Sequence, residues 1–179
     1  MKPPPLPGAR LVASRADVDA AHARLTQAAQ EIVAAGNCVL LGVLLGGLVP
    51  LARIIGGLEG DFEFDTCRVG RYGDAMAGGE LRWLARPRCR LDGRHVIVVD
   101  DIFDEGVTLE AVIDACRLAG ARQVTSLVLV RKRHQRSAGR LPPDLVGIEA
   151  DDLYLFGAGM DHQGKWRHLP DIWGVPSTG

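Results

Sequence analysis

The sequence predicts an α/β protein in which helices flank a mostly parallel central sheet. Three observations predict it. Short, largely apolar runs recur at Val39–Leu45, Val96–Val99 and Val124–Val130, and near-continuous apolar runs mark strands covered on both faces. Stretches of helical pattern separate these runs, as they do where parallel strands are joined by crossovers. Each run stops at residues suited to a turn or a ligand: Gly46-Gly47, Asp100-Asp101 and Arg131-Lys132-Arg133. Ligands of such sheets bind beyond the carboxyl ends of the strands, so these three stops are where chemistry is expected.

The elements follow in order. Residues 1–10 are proline-rich and read as an extended arm. Ser14-Arg15-Ala16-Asp17 has the form of a capping box and opens an alanine-rich helix that stops at Gly36-Asn37. The strand Val39–Leu45 leads through Gly46-Gly47 into a helix over Leu48–Ile55. Phe62–Val69 alternates like a second strand, residues 70–79 are punctuated by glycine, and Leu81–Ala85 is apolar again. Val96–Val99 runs into the acidic pair, and a helix over Thr108–Ala119 ends at Gly120. Val124–Val130 and Asp152–Phe156 read as the remaining strands.

The 179 residues suit one domain with one core. A net charge of -1 argues against a broad nucleic-acid-binding face, so no nucleic-acid partner is expected. The longest apolar run, Val39–Leu51, is broken by Gly42, Gly46, Gly47 and Pro50 and is too short to span a bilayer. No membrane partner is expected, and the N-terminus lacks the apolar stretch of a signal peptide, which points to the cytoplasm. Cys38, Cys67, Cys89 and Cys116 form no C-x-x-C pair and read as reduced core thiols. His134, His162 and His168 show no metal-ligand spacing and read as surface residues.

The segment Val98-Val99-Asp100-Asp101-Ile102-Phe103-Asp104-Glu105-Gly106-Val107-Thr108-Leu109 carries most of the chemistry. The turn from Asp104 to Thr108 leads into a helix whose first amides lack partners, and the helix dipole adds positive character there. Gly106 lets the backbone come close to a ligand, and the Thr108 hydroxyl adds a donor, so the turn is an anion cradle fit for a phosphomonoester. Asp100 and Asp101 supply carboxylates that accept from vicinal hydroxyls or hold a divalent metal. A lone aspartate here would be an ordinary cap. Three aspartates, a glycine and a threonine in this order fit a ribose 5-phosphate. A receiver domain would want an acidic pair near its first strand, and Val39–Leu45 has none.

The segment resembles the phosphoribosyl pyrophosphate (PRPP) signature of the type I phosphoribosyltransferases: a hydrophobic run, two acids, two hydrophobes, Asp, a variable residue, Gly, a variable residue and Thr. Leu127–Arg133, Asp144–Glu149, Tyr154–Asp161 and Arg167-His168-Leu169-Pro170 are similar to later segments of the hypoxanthine-guanine branch. The resemblance runs from about residue 11 to 175. It implies that branch's fold, with a small hood from residues 1–25 and 150–175 and a flexible lid over 70–82 containing Arg71 and Tyr72.

The resemblance also implies roles. Asp100, Asp101, Asp104, Glu105, Gly106, Val107 and Thr108 bind the ribose and its phosphate, and Asp104 is the general base. Lys132 meets a 6-oxo group, which a donor-only side chain suits better than a 6-amino group. Tyr154 stacks on the purine, and the backbone at Leu155 reads its other edge. Leu45, Gly46 and Arg167 bind pyrophosphate, and Asp161, with Asp100 and Asp101, holds Mg2+. The implied partners are PRPP, a 6-oxopurine, the nucleotide product and pyrophosphate, in a homodimer or homotetramer. Three positions depart from the family pattern: Leu45 stands where a basic residue is usual, Arg71 where serine precedes the lid tyrosine, and Glu105 in place of a small hydroxyl residue. A xanthine-preferring enzyme and a PRPP-fold regulator that binds RNA are the alternatives.

Overall fold

The computed structural model describes residues 6–71 and 81–176. Its main sheet has six strands: β2 (Cys38–Leu44), β3 (Glu63–Arg71), β4 (Leu81–Ala85), β5 (His95–Phe103), β6 (Gln123–Lys132) and β7 (Leu145–Ala150). They lie in the order β4-β3-β2-β5-β6-β7. Every pairing is parallel except β3 with β4.

The three apolar runs are the three central strands, which explains why they do not alternate. Along β5, Ile97 and Val99 face one core and Val96 and Val98 the other. All four are fully buried, and each such side chain contributes about 1.5–3 kcal/mol of burial free energy. Helices α1 (Arg15–Ala34) and α2 (Leu48–Ile55) cover the first face, and α3 (Val107–Leu118) covers the second. The capping box forms as read: Ser14 Oγ accepts from the Asp17 amide, and Asp17 accepts from the Ser14 amide at 2.9 Å. Cys38, Cys67 and Cys116 are buried, Cys89 is half-buried, and all four are free thiols. Among the described residues no helix is long and apolar enough to cross a membrane.

A second sheet of three strands stands apart, in the order β1-β9-β8, from β1 (Arg10–Ala13), β8 (Tyr154–Phe156) and β9 (Ile172–Val175). It joins the two ends of the chain, where the hood is expected. Residues 15–25 instead begin α1, which packs on β7 of the main sheet: Arg24 Nη2 donates to the Gly147 carbonyl at 2.8 Å. Asp144–Glu149 is edge strand β7 and its approach, because Leu127 to Lys132 provides a parallel edge for it. Arg10, the end of the expected arm, pairs with Gly174 in β1.

Gly157 opens the loop that leads from β8 back to β9. Its φ is 95°, and a Cβ there would lie 2.1 Å from the Asp171 carbonyl oxygen. Both the backbone conformation and the rigid neighbour oppose a side chain. Gly157→Ala is expected to cost about 2–4 kcal/mol of stability. Thermal unfolding checks this, with a fall in Tm of about 5–12 °C for a chain of this size; an unchanged Tm would contradict the close packing of Gly157 on the Asp171 carbonyl.

Candidate active site

The carboxyl ends of β2 and β5 and the start of α3 enclose a cleft of about 480 Å3. Its wall runs from Asp100 through Leu109 and is closed by Gly46, Asp161 and Arg167. Gly106 is the N-cap of α3 with φ 80°, and no side chain caps that helix. A Cβ at Gly106 would also lie 2.7 Å from the Phe103 ring. The turn therefore needs glycine, and the first-turn amides of α3 are left for an anion. Glu105 lies half-buried on the same wall.

Asp100 and Asp101 are each 8% exposed, and the Asp101 amide donates to Asp100 Oδ1 at 2.9 Å. Burial, with Asp101 as neighbour, pushes the Asp100 carboxyl well up, and burial pushes Asp101 up as well. Arg167 Nη1 lies 4.0 Å from Asp101 Oδ2. This demand for positive charge or donors is one that ribose hydroxyls or a metal ion would meet. Asp101 packs against Gly46 so closely that a Cβ there would lie 1.8 Å from Oδ2.

Arg167 organises the far wall. Its Nη2 lies 2.5 Å from Asp161 Oδ1, and its Nη1 donates to the Gly159 carbonyl at 2.7 Å. Asp161 Oδ2 in turn accepts from the Gly164 amide at 2.7 Å. The loop after β2 contributes less than expected. Leu45 follows a cis peptide bond, exposes its side chain and does not line the cleft. The Gly47 amide is spent on the Val43 carbonyl at 2.9 Å, since the loop turns at once into α2.

A smaller pocket of about 200 Å3 adjoins the cleft and shares Asp101, Asp104 and Asp161 with it. Lys132, Tyr154, Leu155 and Met160 also line it. Lys132 comes from the end of β6, while Tyr154 and Leu155 come from β8, the edge strand of the hood sheet. Tyr154 is 44% exposed, with its ring in edge contact with His162 at 5.2 Å.

Lys132 and Asp104 meet each other: Nζ lies 2.7 Å from Oδ2. Asp104 Oδ1 faces His134 Nε2 at 2.6 Å and accepts from Arg136 Nη2 at 3.0 Å. Arg136 also forks onto Asp152, at 2.5 and 2.7 Å. Burial pushes the Asp104 carboxyl up, but the bonds from Lys132, Arg136 and His134 outweigh it and hold it below its ordinary range. The surface reading of His134 is corrected here: its side chain is 6% exposed, because the turn after β6 folds it back onto Asp104. His162 is likewise half-buried, against Tyr154 and Phe156, while His168 is exposed. Sequence reasoning missed His134, Arg136 and Asp152; the only trace of them was a basic run followed by the acid pair Asp151-Asp152. Tyr72 and the side chain of Arg71, the expected lid residues, lie outside the described residues.

A sequence model of the phosphoribosyl transferase domain matches residues 14–163. The chain belongs to the phosphoribosyltransferase family. This phosphoribosyltransferase is 30% identical over 133 residues to the hypoxanthine-guanine phosphoribosyltransferase of Bacillus subtilis, over 74% of this chain and 73% of that one. It is 28% identical over 155 residues to the hypoxanthine phosphoribosyltransferase of Haemophilus influenzae, covering 83% and 86% of the two. A crystal structure of a hypoxanthine-guanine phosphoribosyltransferase from Bacillus anthracis superposes with a TM-score of 0.85 at 26% identity, covering 93% of this chain and 98% of that chain. The mostly parallel sheet described above is thus the fold of that group.

Proposed function

We propose that this phosphoribosyltransferase serves purine salvage, transferring the 5-phosphoribosyl group of PRPP to hypoxanthine or guanine and yielding IMP or GMP with pyrophosphate. One observation carries the reading: the pocket of Lys132, Tyr154 and Leu155 opens into the anion cleft and shares Asp104 with it. A base held in the first would face a sugar phosphate held in the second. The relatives, named for this activity, support it. Those relatives, together with the net charge of -1, do not favour the RNA-binding alternative.

In this reading the α3 amides, Gly106, Val107 and Thr108 hold the 5-phosphate, and Asp100 and Asp101 accept from the ribose hydroxyls. Gly46 and Arg167 face the pyrophosphate, with Leu45 reduced to a backbone role. Lys132 donates to the 6-oxo group, Tyr154 stacks on the ring, and the Leu155 backbone reads the opposite edge. The base nitrogen forms its bond to ribose C1 as the bond from C1 to pyrophosphate breaks with its electron pair, and Asp104 takes the N7 proton. Arg167 stabilises the charge on the departing pyrophosphate.

Among the described residues no three His, Cys, Asp or Glu side chains converge to hold a metal by themselves. That suits Mg2+, which is commonly held by one or two carboxylates together with substrate phosphates. Asp161 or the Asp100–Asp101 pair, rather than all three as one site, fits that description, and Mg2+ there would neutralise pyrophosphate charge. The test is product formation from PRPP, with and without Mg2+, across hypoxanthine, guanine, xanthine, adenine and uracil. IMP and GMP are expected, only with Mg2+. A chain that converts no 6-oxopurine overturns the reading, and faster conversion of xanthine turns it to the xanthine-preferring branch.

A further inference from the structure

The partners of Asp104 divide between its two oxygens. Oδ2 faces Lys132, and Oδ1 faces His134 and Arg136. In the salvage reading Lys132 must leave Oδ2 to meet the 6-oxo group of the purine. The oxygen it vacates is then open to the base, provided that the carboxylate does not rotate. What prevents rotation is whatever holds Oδ1.

His134 is built for that task. Its Nδ1 accepts from the Arg136 backbone amide at 3.1 Å, so the lone pair of a neutral ring sits on Nδ1 and the proton on Nε2. That proton points at Asp104 Oδ1, 2.6 Å away. The side chain is 6% exposed, whereas Arg136, the second donor to Oδ1, is 46% exposed and divides its fork with Asp152. The imidazole is thus the drier and more rigid of the two. Around Asp104 the titratable and charged groups are Lys132 from β6, His134 and Arg136 from the turn after it, Asp152 beside Lys132 and Arg136, and Asp101 and Asp161 across the shared pocket.

We propose that His134 is a positioning residue: it pins Oδ1 of Asp104 so that Oδ2 is the proton acceptor once Lys132 turns to the base. The proposal rests on the salvage reading. It gives Lys132 a double part, since its move to the oxo group both recognises the purine and uncovers the base that deprotonates it.

Three variants separate this role from a structural one. His134→Leu removes both bonds. His134→Gln keeps a donor of about the right reach for Asp104 and loses the acceptor for the Arg136 amide. His134→Asn keeps that acceptor, as in an Asx turn, but is too short to reach Asp104. With hypoxanthine at saturating PRPP, kcat of H134L is expected to fall about tenfold with KM for PRPP unchanged. H134Q should recover most of the loss and H134N should not. H134Q no faster than H134L, or H134N as fast as the unaltered chain, overturns the assignment. If the unaltered chain turns over no 6-oxopurine, the salvage reading fails and the role of His134 falls with it.

Discussion

Asp104→Asn is expected to lower kcat by about 10²- to 10⁴-fold, the usual span for a positioned general base, while KM for PRPP stays near its starting value. Asparagine keeps the shape of the side chain and an oxygen for Lys132 or His134, but it cannot take a proton at neutral pH. The cradle amides of α3 and the Asp100–Asp101 pair do not depend on Asp104 for their position. Steady-state rates with hypoxanthine, alongside direct PRPP binding, check both halves. Full turnover by the variant would remove Asp104 from the chemistry. Loss of PRPP binding would mean that its role is to hold the cleft rather than to move the proton. The bonds that hold the carboxyl below its ordinary range in the free chain would make it a weak base if Lys132 stayed in place, so the loss should appear in kcat.

Lys132→Ala is expected to lower kcat/KM for hypoxanthine by about 10- to 150-fold, from loss of a charge-assisted bond of roughly 1.5–3 kcal/mol. It should also narrow the preference for hypoxanthine over adenine, because a donor-only side chain no longer selects the oxo group. Stability should change little, since His134 and Arg136 still satisfy Asp104 Oδ1. Rates on the two bases, with a thermal melt of the variant, test this. A variant that keeps its preference would place recognition of the oxo group elsewhere in the pocket.

The elements most legible in the sequence were those decided by local pattern. Central strands covered on both faces are largely apolar, so β2, β5 and β6 were visible as runs, each within a few residues of its observed bounds. Gly106 marked the start of α3 because a helix that follows a buried strand at once needs a residue free to adopt a left-handed backbone there. Strand β7 was harder to read: only two of its six residues are buried, so its edge position left too weak a pattern. The hood sheet was harder still. It unites β1 with strands more than 140 residues away, through pairs such as Arg10 with Gly174, and no local period encodes that.

The site divides in the same way. The residues of the cradle and base pocket are near one another in the chain or carried by recognisable segments, and the sequence by itself determined which chemical groups are available: carboxylates, a cradle, one lysine and one tyrosine. Only the tertiary structure decided their pairing. Asp104 and Lys132 arrive from parallel neighbours β5 and β6, whose register sets Phe103 beside Arg131. Their side chains therefore meet, although 28 residues separate them. His134 read as a surface residue, but the turn after β6 brings it against Asp104. Composition and spacing record which charges a chain carries. Which charge lies within hydrogen-bonding distance of which is fixed by strand register and by turns that join distant segments.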